Sequence, residues 1–135
     1  MVIPYRIHQI KTQQFVFFPE RFVNQSQVLI KSDFSFGVNK ELTNIKCNTK
    51  ITYTQDENLL LLIEVTCFFD IDKDASKQLL EAGRIEVDFL RYLATITTGT
   101  IRGIIHAKTE GTSLNPIVLP PINLMDAIKN DFVFK

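Results

Sequence analysis

The stretch of residues 99–128 constrains the fold of this chain more than any other part of its sequence. Apolar residues recur at helical spacing up to Gly111, where a helix would take a left-handed cap. Three prolines between residues 116 and 121 then exclude a helix and favour extended backbone. Asn123 is placed to cap a short terminal helix that extends through Ile128. The pattern therefore predicts a long helix, an extended crossover and a short helix, in that order.

Upstream of this stretch, apolar and polar residues alternate with the period of a β-strand. The predicted strands are residues 3–18, 28–38, 45–53 and 59–71. The first of them changes phase near Ile10, which indicates a bulge. A four-residue hairpin loop, residues 55–58, would join the third and fourth strands.

The fourth predicted strand is apolar on both faces, because Leu60, Leu62 and Phe68 alternate with the apolar residues of its other face. A strand of this kind is covered on both faces, and one helical layer cannot cover both. We therefore expect either subunits that stack through the sheet or an apolar ligand that lies on it.

An acidic connector follows the sheet, with a predicted short helix at residues 75–81. Four acidic residues between 70 and 81 occupy positions 1, 3, 5 and 12 of a calcium-binding EF-hand loop. However, Ala75 stands where that loop requires glycine, and a strand rather than a helix precedes it. We expect a solvated connector and no metal site.

The long helix is predicted to begin after Asp88 as its N-cap and to reach about residue 110. Gly99 and Gly103 in its interior each cost about 1 kcal/mol relative to alanine. Together with Ala107 they are four residues apart and form a shallow lane along one face. This lane would fit either close packing of the helix on the sheet or a helix–helix contact between subunits. We favour the second, which makes Gly99 and Gly103 the predicted oligomer interface.

These patterns predict a single domain over residues 1–135, of the α+β class. It consists of a four-stranded antiparallel β-sheet with a long C-terminal helix on one face, an extended crossover and a short terminal helix. We expect dimers paired through strands, which double to tetramers through the long helices.

Charge and hydropathy limit the functions open to the chain. Fifteen acidic residues balance fifteen basic ones, so no charge excess attracts nucleic acid or an anionic membrane. The first residues lack the pattern of a signal peptide, and the longest apolar run, residues 59–63, is too short for a membrane helix. We expect a cytoplasmic protein without direct membrane insertion.

In that reducing compartment the two cysteines should be free thiols. Cys47 and Cys67 lie on neighbouring predicted strands, near enough in register to face each other.

The sequence does not indicate an enzyme. Catalysis needs a positioned acid, base or nucleophile, and the two histidines, His8 and His106, lie far apart in the sequence. The sequence contains neither a glycine-rich phosphate loop nor a Cys-x-x-Cys pair. We expect no catalysis and no cofactor.

Three short motifs, together with the order of the elements, resemble a known family. Residues 7–12, Ile-His-Gln-Ile-Lys-Thr, resemble Ile-Gln-Arg-Ile-Tyr-Thr on its first strand, and residues 62–65, Leu-Ile-Glu-Val, resemble Leu-Cys-Glu-Val on its fourth. Gly111-Thr112 and then Leu119-Pro-Pro-Ile-Asn-Leu-x-x-Ala127 resemble its Gly-Thr and its Pro-Val-Asn-Phe-x-Ala-Leu. The family is that of SecB, the tetrameric export chaperone, and the chain resembles its shorter SecB-like members.

The resemblance implies an ATP-independent holdase that binds unfolded polypeptides in apolar grooves, in protein export or a related role. By position it implies client-binding residues on the second strand, the long helix and the short helix: Val28, Ile30, Phe34, Gly103, His106, Ala107, Leu124 and Ile128. It also implies docking of the motor SecA at Glu64. Two further acidic docking positions of the family are Gln14 and Phe18 here, which weighs against SecA as a partner.

Three alternatives stay open. A SecB-like chaperone can be dedicated to one partner, such as the antitoxin of a toxin–antitoxin system. A small-molecule module would use the phenylalanine-lined sheet to enclose an apolar ligand, which predicts a closed cavity within one subunit. A structural oligomer without a client is the third. A chaperone instead predicts an open groove shared between subunits, and the two-sided fourth strand favours that arrangement.

Overall fold

The computed structural model describes residues 2–134 and has the α+β fold expected from the sequence. Its elements, in chain order, are the strand β1 (Tyr5–Phe17), a 3₁₀ turn (Pro19–Arg21), the strands β2 (Leu29–Val38), β3 (Asn44–Gln55) and β4 (Asn58–Ile71), the helix α1 (Lys73–Ala82), the strand β5 (Arg84–Ile85), the helices α2 (Val87–Lys108) and α3 (Leu124–Ala127), and the strand β6 (Phe132–Val133).

The first four strands form one antiparallel sheet in the spatial order β1-β4-β3-β2. The hairpin of β3 and β4 lies at the centre, and β1 and β2 are the edge strands. The predicted four-stranded antiparallel sheet is confirmed, and each strand begins and ends within two residues of the prediction.

The inner face of the sheet, which α2 covers, forms the core. Tyr53 and Phe69 and the directly paired Ile51 and Ile63 are fully buried on this face. Leu93 is one of the α2 residues buried against it. Every second residue of β3 and β4 along this face is buried, because successive side chains of a strand point to opposite sides.

Cys47 and Cys67 lie directly opposite each other in the register of β3 and β4. Both are fully buried and both are free thiols, as predicted. Burial raises the pKa of each thiol above its usual value. Both side chains therefore stay protonated and unreactive at neutral pH.

The outer face of the sheet is polar at its centre. Thr66 of β4 accepts hydrogen bonds there from the side chains of Gln13 and Asn48, at 3.2 and 2.8 Å. Of the three apolar residues predicted on the second face of β4, Leu62 and Phe68 are half-buried, whereas Leu60, beside the irregularity in the β3–β4 register, is fully buried. Because α2 covers the inner face, it does not supply the second cover that the sequence predicts for β4.

The edge strand β1 is exposed along most of its length. Bulges at His8 and Gln13, on either side of Ile10, account for the change of phase in the sequence. The apolar side chains of Ile7, Ile10 and Val16 are 43, 48 and 44% exposed. The outer edge of β1 thus combines unpaired backbone groups with apolar side chains.

Both helices that follow the sheet begin earlier than predicted. α2 starts at Val87 with Glu86 in the N-cap position, so the predicted cap Asp88 lies inside its first turn. The Val87 N–H donates instead to Oδ1 of Asp131, 2.8 Å away and 44 residues later in the chain. Asp131 precedes β6, which pairs with β5 in a two-stranded ribbon that the sequence did not predict. α1 is capped by Asp72 and begins two residues before the predicted helix.

The β3–β4 hairpin is tighter than predicted. Gln55 and Asn58 pair with each other in the sheet, so the loop consists of Asp56 and Glu57 and has two residues rather than four. Both have positive φ, 51° and 69°, as the twist of a two-residue hairpin requires. Asp-Glu is not the Asn-Gly pair typical of such a turn, so the residue types do not indicate it.

We expect Glu57→Gly to raise the free energy of unfolding by about 0.5–1 kcal/mol, because glycine adopts positive φ without the steric cost of a Cβ atom. Denaturation in urea measures the change. Glu41→Gly is the matched control, since Glu41 is also exposed in a loop but does not have positive φ. The control should lose about 0.5 kcal/mol. Equal losses of stability in both variants would contradict the hairpin geometry.

Candidate functional site

An apolar groove of about 520 Å³ lies between α2 and the crossover, residues 109–123. The crossover is a series of turns up to residue 116, rather than extended throughout as predicted, and is extended only from residue 117. One wall is a face of α2, and the other is the second half of the crossover with the start of α3. The residues that line it are Thr95, Thr98, Arg102, Val118, Leu119, Pro120, Pro121, Ile122 and Leu124.

Two adjacent prolines determine the shape of the crossover wall. Pro120 and Pro121 have no N–H and a fixed φ, which keeps this segment out of helix and sheet. Leu119 is buried against the core, whereas Val118 and both prolines are exposed. The crossover is thus anchored by one side chain and leaves an accessible apolar surface on either side of it.

Arg102 of α2 holds the crossover in place. Its Nε donates to the carbonyl oxygen of Leu119 at 2.6 Å, and its Nη2 donates to the carbonyl oxygen of Pro120 at 3.1 Å. A guanidinium presents its donors in a rigid planar fork, so one side chain can bind two neighbouring carbonyls. The width of the groove therefore depends on this arginine.

The start of the crossover is tied to the C-terminus of α2. α2 ends at Lys108 with Thr109, φ −97°, as its C-cap, so the predicted helix end at about residue 110 with a left-handed cap at Gly111 is wrong. Gly111 has a positive φ of 78°, but it lies in the turns that follow the helix. The side-chain amide of Asn115 donates to the carbonyl oxygen of His106 at 3.0 Å and to Oγ1 of Thr109 at 3.3 Å. The first of these bonds occupies a carbonyl that the end of the helix leaves unpaired.

The end of the crossover is fixed by the cap of α3. Oδ1 of Asn123 accepts from the N–H groups of Met125 and Asp126, which confirms the predicted N-cap. The helix makes a single turn and ends at Ala127, one residue before the predicted end at Ile128. Its first residue is the leucine that lines the groove.

Two buried hydroxyls near the α2 wall lack hydrogen-bond partners among the described residues. One is Oγ1 of Thr98, which lines the groove, and the other is the phenol of Tyr53 on β3. Burial raises the pKa of Tyr53 to about 12, while the positive charge of Arg102 acts in the opposite direction. Tyr53 is therefore neutral at physiological pH.

The structure places the predicted client-binding residues in four environments. Leu124 lines the groove. The residues in and before β2 are half-buried against the core: Val28, Ile30 and Phe34. The residues on α2 are exposed: Gly103, His106 and Ala107. Ile128 is buried in the core, with 7% of its surface exposed.

Most of the groove is not identified by sequence alone. Thr95, Thr98 and Arg102 follow each other at helical spacing on one face of α2, and this spacing is the signal that the sequence offers. The prolines indicate the crossover, but they do not indicate which face of the helix it crosses. That choice depends on tertiary contacts of the crossover.

The glycine lane of Gly99 and Gly103 faces away from the sheet. Both glycines are exposed, and a Cβ atom placed on either would meet no atom within 4 Å. The interpretation that they fit the helix closely onto the sheet is therefore wrong. The lane is an open surface on the outward side of α2.

Glu64, the predicted motor-docking residue, lies on the outer face of β4 and is half-buried. It pairs in register with Lys50 on one side and Gln14 on the other. Lys46 and Asn48 line the same shallow depression. Glu64 forms no ion pair within residues 2–134, and Asp33 of β2 pairs in register with Lys50 from the other side.

The acidic run that resembles a calcium loop has other roles. Asp70 pairs with Arg6 at 3.2 Å, and Asp72 caps α1. Within residues 2–134, no group of three His, Cys, Asp or Glu side chains is arranged to hold a metal ion. Over the same residues, no helix has the length and apolarity needed to cross a membrane.

No protein-family model matches this chain, and no curated protein matches its sequence. Among solved structures, it is similar to a SecB-like chaperone of Mycobacterium tuberculosis in complex with a ChAD peptide from the HigA1 antitoxin. The match covers 87% of this chain and 90% of that chain, with 11% sequence identity and a TM-score of 0.47. At that TM-score the similarity carries no conclusion about the function of this chain.

Proposed function

We propose that this protein is an ATP-independent holdase that binds unfolded polypeptide in the groove between α2 and the crossover. The observation that carries the proposal is the exposed apolar wall of this groove. Val118 is 61% exposed, and the neighbouring Pro120 and Pro121 are exposed as well. A concave site lined mostly by apolar side chains is where a binding site is expected. Unfolded chains offer aliphatic side chains that folded proteins bury.

The dimensions of the groove suit a few side chains of an extended segment. Its volume of about 520 Å³ lies within the usual range of ligand sites. Each fully buried apolar side chain contributes roughly 1.5–3 kcal/mol. A few such side chains therefore supply enough free energy for a reversible complex after the cost of association. Binding of this kind needs no nucleotide.

A small apolar ligand suits this groove less well than a chain does. Small-ligand sites bury most of the surface of the ligand, whereas the wall at Val118 and the two prolines stays open to solvent. An open wall allows a polypeptide to enter from the side and to continue beyond the groove. This favours the chaperone over the ligand-binding module.

The proposal includes assembly in two steps. The unpaired outer edge of β1, with the exposed Ile7 and Ile10, would pair with a second copy, because a free strand edge favours such pairing. The open lane of Gly99 and Gly103 would then join two dimers through α2. The resulting tetramer carries four grooves.

The surroundings of Glu64 support a dedicated client, such as an antitoxin, over delivery of preproteins to SecA. Docking through acidic residues requires a concentrated negative field. Here Lys46 and Lys50 lie beside Glu64 on the same face of the sheet. The field around Glu64 is therefore of mixed sign rather than concentrated and negative.

We expect Val118→Ser to weaken binding of a permanently unfolded protein roughly tenfold, because the client loses about 1.5 kcal/mol of apolar burial at the groove wall. The client is a reduced and alkylated protein, and the same protein in its folded form serves as the reference. Fluorescence anisotropy gives the affinity and light scattering gives the mass of the complex.

Val133→Ser is the matched control for this measurement. Val133 is 65% exposed but lies in β6, outside the groove. The control should bind the unfolded protein as the native chain does. Equal loss in both variants, or no preference for the unfolded form, would falsify the assignment of the groove as the client site.

We expect Gly103→Leu to convert a tetramer into dimers without unfolding the chain. The larger side chain fills the lane, while within one subunit it meets no atom that it would displace. Gly103→Ala should keep the tetramer and raise the stability of each subunit by about 1 kcal/mol. Sedimentation or light scattering measures the mass. An unchanged mass for the leucine variant would exclude the lane as the contact.

A further inference from the structure

Arg102 is a cation in an apolar groove without an acidic partner. Its two hydrogen bonds go to neutral carbonyl groups, those of Leu119 and Pro120. Within residues 2–134 it forms no ion pair, and no acidic residue lines the groove. A guanidinium has five N–H donors, so donors on Nη1 remain for a ligand.

Arg91, on the same helix, shows the contrasting arrangement. Its Nε also donates to a carbonyl of the C-terminal segment, that of Ile128, at 2.9 Å. However, its Nη1 is paired with Oδ1 of Asp88 at 3.4 Å. Both arginines therefore fasten the C-terminal segment to α2, but Arg102 keeps a charge that no residue of the described chain neutralises.

Thr98 lies one helical turn before Arg102 and adds a second unused polar group. Threonines of α2 commonly donate to the carbonyl four residues earlier, as Thr95, Thr97 and Thr100 do. Thr98 makes no such bond, and its buried Oγ1 has no partner. Buried hydroxyls without a partner are rare because they destabilise the fold, but this oxygen has almost no accessible surface, so Arg102 alone offers donors to a ligand in the groove.

We propose that the groove selects segments in which the carboxylate of an Asp or Glu side chain lies among aliphatic residues. The carboxylate would accept from the free donors of the Arg102 guanidinium, since charge-assisted bonds to a planar fork are the strong ones. The aliphatic neighbours would pack on the crossover wall. This inference rests on the proposed holdase function and names the class of client segment.

The apolar lining supports an internal carboxylate rather than the C-terminus of a client. Arg102 binds the crossover at Leu119 and Pro120, near the middle of its lining residues. Val118 lies on one side of this point, and Ile122 and Leu124 lie on the other. A bound chain thus finds apolar contacts in both directions from its acidic residue.

Three peptides, which differ in their central residue and in their C-terminal group, test the inference by fluorescence anisotropy. The first has a central glutamate between aliphatic residues and is blocked at both ends. The second has glutamine in that place, and the third is the glutamine peptide with a free C-terminal carboxylate. We expect the native protein to bind the glutamate peptide roughly tenfold more tightly than the blocked glutamine peptide. This ratio should fall as salt is raised.

Variants of the two polar residues separate recognition from structure. Arg102→Gln should abolish the preference for glutamate. Thr98→Val should leave the preference for glutamate unchanged, with the fold retained, because the substitution removes only a buried and unpaired hydroxyl. Arg91→Gln is the matched control and should leave the preference unchanged, since Arg91 already has an acidic partner.

The outcomes distinguish this inference from the holdase proposal. Equal binding of the glutamate and glutamine peptides, while unfolded protein still binds, overturns the inference and leaves the holdase intact. If the third peptide binds tightly and internal glutamate is not preferred, the groove recognises the C-terminus of a chain and the inference is overturned. If neither peptides nor unfolded protein bind, both proposals fail together.

Discussion

The packing of α2 on β3 and β4 is the contact on which the other features of this structure depend. α2 has 22 residues, and at about 1.5 Å per residue it is long enough to cross the whole sheet. Its buried residues, among them Leu93 and Ile101, meet the fully buried inner face of the two central strands. Once the helix occupies that face, the C-terminal segment can return only alongside it. The groove is the space that this return leaves.

The sheet could be predicted from the sequence because side chains of a strand alternate between its two faces, so that buried positions recur every second residue. Prediction from the sequence failed where the structure depends on contacts between distant residues or on unusual backbone angles. The turn at Asp56 and Glu57 needs positive φ at residues that rarely adopt it. The cap of α2 comes from Asp131, 44 residues away, and β5 and β6 are too short to show any periodicity. No local pattern carries this information.

The candidate site was predictable only where it depends on local sequence signals. The prolines and the Asn123 cap are local signals that the structure bears out, whereas Gly111 has the left-handed backbone but does not cap α2, which ends at Lys108. The position of Arg102 against the crossover is a tertiary contact between residues 17 and 18 positions apart. Helical spacing places the arginine on a face of α2, but only the fold shows that the crossover lies against that face.

One side chain both builds this groove and gives it charge. The crossover prolines donate no backbone hydrogen bond, so the segment depends on donors supplied from elsewhere, and Arg102 supplies two of them. A lysine at this position would bring a point charge without the planar fork and would not hold two adjacent carbonyls in the same way. The geometry that fastens the crossover therefore also places a guanidinium inside an apolar wall. In this fold, the shape of the groove and the preference that we propose for it depend on the same residue.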